Sequence, residues 1–220
     1  MNKRLDIQKT YKLYINGKFH RTESGRYFPV NDNNGNLSAN ICRASRKDFR
    51  EAVKAARNAV TEWSSRTSYN RGQILYRIAE TMEGRKEQFI QELITFGMSG
   101  KKAVNEVDTT IDRLVYYAGW TDKYQALFSS VNPVSSSHYN FSVPEYQGII
   151  ALIAPNDNPL LGLVSLIAPA IAGGNTVVCL ASEKWPLSAI SFGEVLHASD
   201  APNGVVNILT SFNIELAEHF

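Results

Sequence analysis

Three short polar stretches in the last third of the chain carry the side chains best suited to hold a ligand. Pro155-Asn-Asp-Asn-Pro159 follows the apolar run Gly148-Ile-Ile-Ala-Leu-Ile153-Ala154 and sets the Asp157 carboxylate between two amides, Asn156 and Asn158. These groups can orient a ligand, with the start of a following helix facing a phosphate. Alternatively, Asp157 or Asn158 caps that helix. Ser182 and Glu183 come after a second apolar run, where they can receive ribose hydroxyls as acidic residues after a sheet strand do in nucleotide sites, or form an exposed loop before Pro186. Thr210 and Ser211, after a third run, offer hydroxyls either to a ligand or to a helix start.

A nucleophile paired with a base is not visible. Cys179 lies inside Val177-Val-Cys-Leu180 and reads as a small core residue. Cys42 follows a polar turn and has no partner in the sequence. Neither has the electropositive, accessible setting of a reactive thiolate. His20, His138, His197 and His219 are scattered, without metal-ligand spacing, and His197 reads as structural or exposed. Gly173-Gly174 precedes a strand rather than following one, so it reads as a helix stop and not a phosphate loop.

The elements that must position these stretches follow a βαβαβ period from Gly148 onward. Strands are expected at about 149–154, 175–180 and 205–209, and helices at about 159–172 and 186–199. Asn203-Gly204 turns the chain into the third strand, and a further helix begins near Ile214. A parallel sheet of this kind places all three polar stretches at the carboxyl ends of its strands, where α/β proteins bind ligands. Upstream, Leu13-Tyr-Ile-Asn-Gly-Lys-Phe19 is a hairpin signal, because Asn16-Gly17 tolerates the positive φ of a tight turn. Gly25-Arg-Tyr-Phe-Pro-Val30 adds a strand before the polar turn 31–36. Ser45-Arg-Lys-Asp48 resembles a capping box that starts a helix with Phe49, Ala52, Val53, Ala56 and Val60 on one face and Trp63 near its end. A second helix is expected from Thr67-Ser68 to Gly97 or Gly100, and a third from about Lys101 to Leu127. Residues 129–137 form a polar break, and His138 to Pro144 alternates like a half-exposed strand, an arm able to pair with a partner subunit.

With 220 residues, 44% hydrophobic and 20% charged, the chain is an ordinary globular one. A net charge of +2 without basic-aromatic clusters gives no support to nucleic-acid binding. The longest apolar stretch, Leu160 to Ala172, is too short to span a bilayer, and Met1 to Lys9 lacks the apolar core of a signal peptide. Two cysteines without informative spacing make cytoplasmic residence the expectation. A last strand followed by a barely started helix leaves apolar sheet surface uncovered. Either that helix is vestigial or the chain is one piece of a longer protein.

Taken together, Tyr14-Ile-Asn-Gly17, Ala52-Val-x-Ala-Ala56, Ile153-Ala-Pro155 with Asn158-Pro159, Pro169-Ala-Ile-Ala-Gly-Gly-Asn-Thr-Val-Val178, Pro186-Leu-Ser188 and Gly204-Val-Val-Asn-Ile208 resemble the aldehyde dehydrogenase superfamily over essentially the whole chain. The block Arg43 to Glu80 and the end Glu215-Leu-Ala-Glu218 resemble the degenerate second unit of tandem-domain members. The resemblance implies an α/β fold with an incomplete Rossmann-type parallel sheet, amino-terminal helices and a bridging β arm. It divides the chain into a hairpin and helical part (1–128), an oligomerisation arm (129–147) and a partial dinucleotide-binding sheet (148–220). It implies oxidation of aldehydes to acids with NAD or NADP, a homo-oligomer or the rest of a longer parent chain as partner, and a catalytic cysteine and glutamate beyond Phe220.

By the same resemblance the cofactor-side residues are Ile153, Ala154, Pro155, Asn156, Asp157, Leu180, Ser182, Glu183 and Ser211. Several depart from the family pattern. Pro-Trp-Asn-Phe-Pro is matched by Pro155-Asn-Asp-Asn-Pro159, which puts the Asp157 carboxylate where the oxyanion needs a donor. The lysine of Lys-Pro-Ser-Glu is matched by Leu180, Glu183 is retained, and the glycine after the third strand is matched by Ser211. Losing a charged donor and gaining a carboxylate each cost on the order of 1–3 kcal/mol, so cofactor binding is expected to be weak or absent. The competing expectation is a non-catalytic scaffold that packs against an active dehydrogenase unit.

Overall fold

The computed structural model describes residues 9–220; the absence of a signal peptide expected at Met1 to Lys9 falls almost wholly outside them. Ten strands and eight helices follow in order: β1 (Thr10–Tyr11), β2 (Leu13–Ile15), β3 (Lys18–His20), β4 (Tyr27–Asn31), β5 (Leu37–Cys42), α1 (Arg46–Ser65), α2 (Ser68–Glu83), α3 (Lys86–Thr95), α4 (Gly100–Ala118), α5 (Tyr124–Phe128), β6 (Ser130–Asn132), β7 (Asn140–Ser142), β8 (Ile149–Ile153), α6 (Pro159–Ala172), β9 (Thr176–Leu180), α7 (Pro186–Ala198), β10 (Val206–Leu209) and α8 (Asn213–Leu216), with a 3₁₀ turn at Ala217–His219. The main sheet has the order β3-β2-β10-β9-β8. Its last three strands are parallel, and the antiparallel β2–β3 hairpin is joined to β10 at Ile208 and Tyr14. Both residues of the hairpin turn have positive φ, Asn16 at 51° and Gly17 at 68°, the conformation a two-residue primed turn requires.

The centre of the sheet is covered on both faces, and the period-two alternation of β9 shows how. Val177 and Cys179 join the large core made with α2, α4, α6 and α7, whereas Val178 and Leu180 face α1 together with Leu13, Ile15 and Leu209. Every residue of β9 is buried, as expected of a strand between two helical layers. On α1 the contact residues are Ala52, Ala55 and Ala56, small enough for the helix to lie close to the sheet. At Gly204, φ is +83° and an added Cβ would come within 2.6 Å of the Ala55 carbonyl oxygen. The capping box at the start of α1 is complete, Ser45 and Asp48 each accepting from the other's backbone N–H.

The structure departs from the sequence reading in four places. The long second helix is broken at Gly84-Arg85, where the Arg85 guanidinium pairs with Glu194 of α7 and the chain turns into α3, burying Phe89, Ile90 and Leu93. The third helix stops at Ala118 rather than running to Leu127. Thr121 turns in to donate to the Ala118 carbonyl at 2.9 Å, in space left by Gly72, where a Cβ would lie 2.6 Å from the Thr121 hydroxyl. The polar break contains β6, which pairs antiparallel with β7, and Asn132 bonds across to Asn140 and Ser142, each at 3.1 Å. Finally, Leu37–Cys42 is a strand at the centre of a three-stranded sheet in the order β1-β5-β4. None of the helices in the described residues is long and apolar enough to cross a membrane.

Candidate functional site

The carboxyl ends of β8, β9 and β10 lie side by side, so the three polar stretches form one rim. The ladder continues one residue into it: the Ala154 N–H donates to the Leu180 carbonyl and the Ala181 N–H to the Leu209 carbonyl, both at 2.8 Å. Ser182 donates its hydroxyl to the Asn156 side-chain oxygen at 2.8 Å and accepts from the Trp185 N–H at 3.2 Å. Glu183 accepts from the Asn213 N–H and so holds the start of α8. Ser211 donates to the Ala44 carbonyl at 3.2 Å and Thr210 to the Cys42 carbonyl at 2.6 Å. Neither hydroxyl reaches outward or caps a helix; both fasten β10 to the end of β5.

Ile153 is 40% exposed, Ala154 is buried, and Pro155, Asn156 and Asp157 are exposed. Leu180 is fully buried among Leu13, Val178 and the alanines of α1, an apolar contact in which an ammonium would lack partners. Pro155 folds back over the first turn of α6, and Gly162 makes this possible: a Cβ there would lie 2.9 Å from Pro155 Cδ and nearer still to Cγ.

The start of α6 meets the capping reading in position only. Asn158 is the N-cap residue in a left-handed conformation (φ 51°, ψ 62°), and no side chain of the loop bonds to the helix. The amides are nevertheless accounted for. Pro159 has no N–H, Leu160 and Leu161 donate to Glu106 Oε1 at 2.9 and 3.3 Å, and Gly162 donates to the Asn158 carbonyl at 2.7 Å. Glu106 comes from α4, more than fifty residues upstream, and leaves no amide there for a phosphate. Burial raises its carboxyl above the ordinary range, and the two amides pull it back down. The residue was not singled out from the sequence, although a signal exists. Ala103, Val107, Thr110, Ile111 and Leu114 mark the buried face of α4, and Glu106 is the one acid among them.

The other end of α6 is held by a cation. Arg71 donates to the Ala172 carbonyl at 3.1 Å, and Trp63 donates its indole N–H to the Ile171 carbonyl at 3.0 Å. The helix thus carries a carboxylate at its positive end and a guanidinium at its negative end. Chemically, the rim is a well-fastened frame whose hydroxyls and Glu183 are engaged internally. Neither thiol is a nucleophile in this setting: Cys42 and Cys179 are buried and unpaired, and burial pushes the Cys179 thiol up. His197 Nδ1 lies 3.0 Å from the Gly17 carbonyl and ties α7 to the hairpin.

Comparison with known proteins gives the frame its ancestry. The model of the aldehyde dehydrogenase family matches residues 19–220. Retinal dehydrogenase 2 of Gallus gallus is 35% identical over 216 residues, covering 94% of this chain and 40% of that protein. Cytosolic aldehyde dehydrogenase 1 of Elephantulus edwardii is 32% identical over 218 residues, covering 94% and 42%. The NAD+ complex of an aldehyde dehydrogenase from Bacillus cereus superposes with a TM-score of 0.90 at 29% identity, covering 95% of this chain and 43% of that one. The chain therefore spans less than half the length of these relatives. By the match over residues 19–220 it belongs to the aldehyde dehydrogenase family.

Proposed function

We propose that this chain is the amino-terminal, cofactor-side portion of an NAD(P)-dependent aldehyde dehydrogenase, catalytically silent alone and binding NAD or NADP weakly or not at all. The observation that carries the proposal is the internal satisfaction of the rim. Ser182, Glu183 and Ser211 spend their polar atoms on Asn156, Asn213 and Ala44, and the lysine position of the family motif is the buried Leu180. A ribose or phosphate entering here competes with bonds the protein already has, and it meets the Asp157 carboxylate instead of an amide. Two buried cysteines in separate cores leave no nucleophile for an aldehyde and support cytoplasmic residence.

A second reading, a non-catalytic scaffold or oligomerisation unit, is favoured by the β6–β7 arm, on which Val131, Tyr139, Phe141 and Val143 are all more than half exposed. Both readings fit a degenerate unit of a tandem-domain protein. The two blocks that resemble such units meet directly, through the Arg43–Glu215 ion pair. Calorimetric titration with NAD and with NADP tests the first reading: no heat at millimolar cofactor supports it, and micromolar affinity overturns its binding half. Aldehyde-dependent reduction of NAD by this chain overturns its activity half. Sedimentation showing a monomer, unchanged when Tyr139 and Phe141 are replaced by Ser, overturns the scaffold reading as far as self-association carries it.

A further inference from the structure

We propose that Glu106 is the positioning residue of the rim loop 154–158, acting from α4 through the first turn of α6. The inference rests on the reading above only in that it takes this loop to be the one facing the cofactor.

The loop is held to β9 at one end, by the Ala154 bond to Leu180 and the Ser182 bond to Asn156, and has little means of placing its other end. Asn158 sits in the left-handed region, which non-glycine residues adopt at a cost unless their surroundings impose it. No side chain of the loop bonds to the helix it precedes. The imposed contact is Glu106 Oε1, which accepts from both Leu160 and Leu161. With these two amides and the Gly162 N–H engaged, the Asn158 carbonyl points down the helix and Pro155 lies over Gly162. The carboxylate is 3% exposed, and its second oxygen, Oε2, is buried without a partner. An unpaired buried carboxylate oxygen is costly. A lone acid is thus held on the apolar face of α4, at a place where leucine would pack without that cost. The positive end of α6, a helix of 14 residues, is what compensates it. No charged side chain of α2, α3, α4 or α6 contributes to the shift of its carboxyl; burial raises it and only the two amides lower it.

Placement of the loop is therefore tied to one carboxyl group, and amide resonances in the labelled chain can read that link. The chain and its Glu106→Gln and Glu106→Ala variants are followed by NMR through a pH titration and by hydrogen exchange. The expected result is a common titration of the Leu160 and Leu161 amides together with those of Asn156 and Asp157, with a midpoint above the ordinary glutamate value of about 4.3. In E106Q the titration is absent but the carbonyl acceptor keeps the two helix amides protected. In E106A their exchange rises about tenfold or more. Titration confined to Leu160 and Leu161, with 156 and 157 unmoved, overturns the positioning role. So does equal protection in all three proteins. If E106A loses its fold, exchange at Val177 to Cys179 in β9 reports it, and E106Q then decides. No cofactor enters these measurements, so failure of NAD to bind bears on the function alone and a silent titration bears on Glu106 alone.

Discussion

Replacing Arg71 by methionine measures how much of the frame depends on one buried cation. The guanidinium is 5% exposed and has no carboxylate among its hydrogen-bond partners in the described residues. It donates to the carbonyls of Ala172 at the end of α6 and of Arg66 and Ser64 at the end of α1, and to the Ser68 hydroxyl in the first turn of α2. Ser64 and Ser68 stand at 3.4 Å and count for little, which leaves two good bonds, to Ala172 and Arg66. A hydrogen bond from a charged donor contributes about 1.5–3 kcal/mol net, so two give about 3–6 kcal/mol. The charge that no longer needs desolvation offsets part of this, and methionine keeps the packing of the stem. The expected loss is about 3–4 kcal/mol. With a urea slope of roughly 2–3 kcal/mol/M, the unfolding midpoint falls by about 1–2 M. R71K, which keeps the charge but reaches fewer carbonyls, should lose about half as much. A midpoint for R71M within about 0.3 M of the parent would refute the idea that this cation joins α1, α2 and α6.

Three further perturbations test neighbouring pieces. Gly162→Ala should destabilise by about 1–3 kcal/mol in urea melts because its Cβ runs into Pro155; the ordinary gain of about 1 kcal/mol for such a change inside a helix would show that the loop does not lie there. The Glu92 carboxyl is raised first by burial and further by Glu194, so the folded protein holds its proton more tightly than the unfolded chain does. Stability from this group is therefore lost as pH rises from about 4.3 through the raised value, and E92Q should flatten the pH dependence of thermal melts across that window; parallel profiles would contradict it. Leu180→Lys should lose at least about 2–3 kcal/mol from the core beneath α1, whereas the exposed Asp157→Asn should stay within about 0.5 kcal/mol; equal urea midpoints for the two would show that Leu180 is not a core residue.

The parts of the fold legible in the sequence are those whose pattern is local. The βαβαβ period came through because β8, β9 and β10 are short apolar runs punctuated by Pro159, Pro186 and Asn203-Gly204, and the observed ranges of α6 and α7 differ from the expected ones by one residue at most. The Asn16-Gly17 turn and the Ser45–Asp48 box carry their own geometry. The break at Gly84-Arg85 did not show, and the contact that accompanies it, Arg85 with Glu194 on α7, is more than a hundred residues away in sequence. Nor did the turn after Ala118, which depends on Thr121 fitting against Gly72. The candidate site divides in the same way. Its position at the strand ends follows from the period alone, while the satisfaction of its polar groups depends on Ala44 and Glu106, far from the rim in sequence, and on Asn213, which follows Ser211 closely but engages Glu183 thirty residues earlier.

Strand order bears on where a ligand crevice can open beside this rim. In a doubly wound sheet the ligand crevice opens where the strand order reverses, because helices on either side of that point cover opposite faces and leave a gap between them. The parallel strands of this chain advance in one direction only, β8 to β9 to β10, and β10 is then closed off by the antiparallel hairpin at β2. Among the described residues the outer edge of β8 has no neighbour, and Ile153 and Ala151 on that strand are exposed. A reversal, and with it a crevice, arises only if a further parallel strand is laid along β8. Asn156 and Asp157 then lie between two helices instead of at an open edge. Under that condition the loop that Glu106 and Gly162 hold in place becomes one wall of a crevice; among the described residues it lies at an open sheet edge.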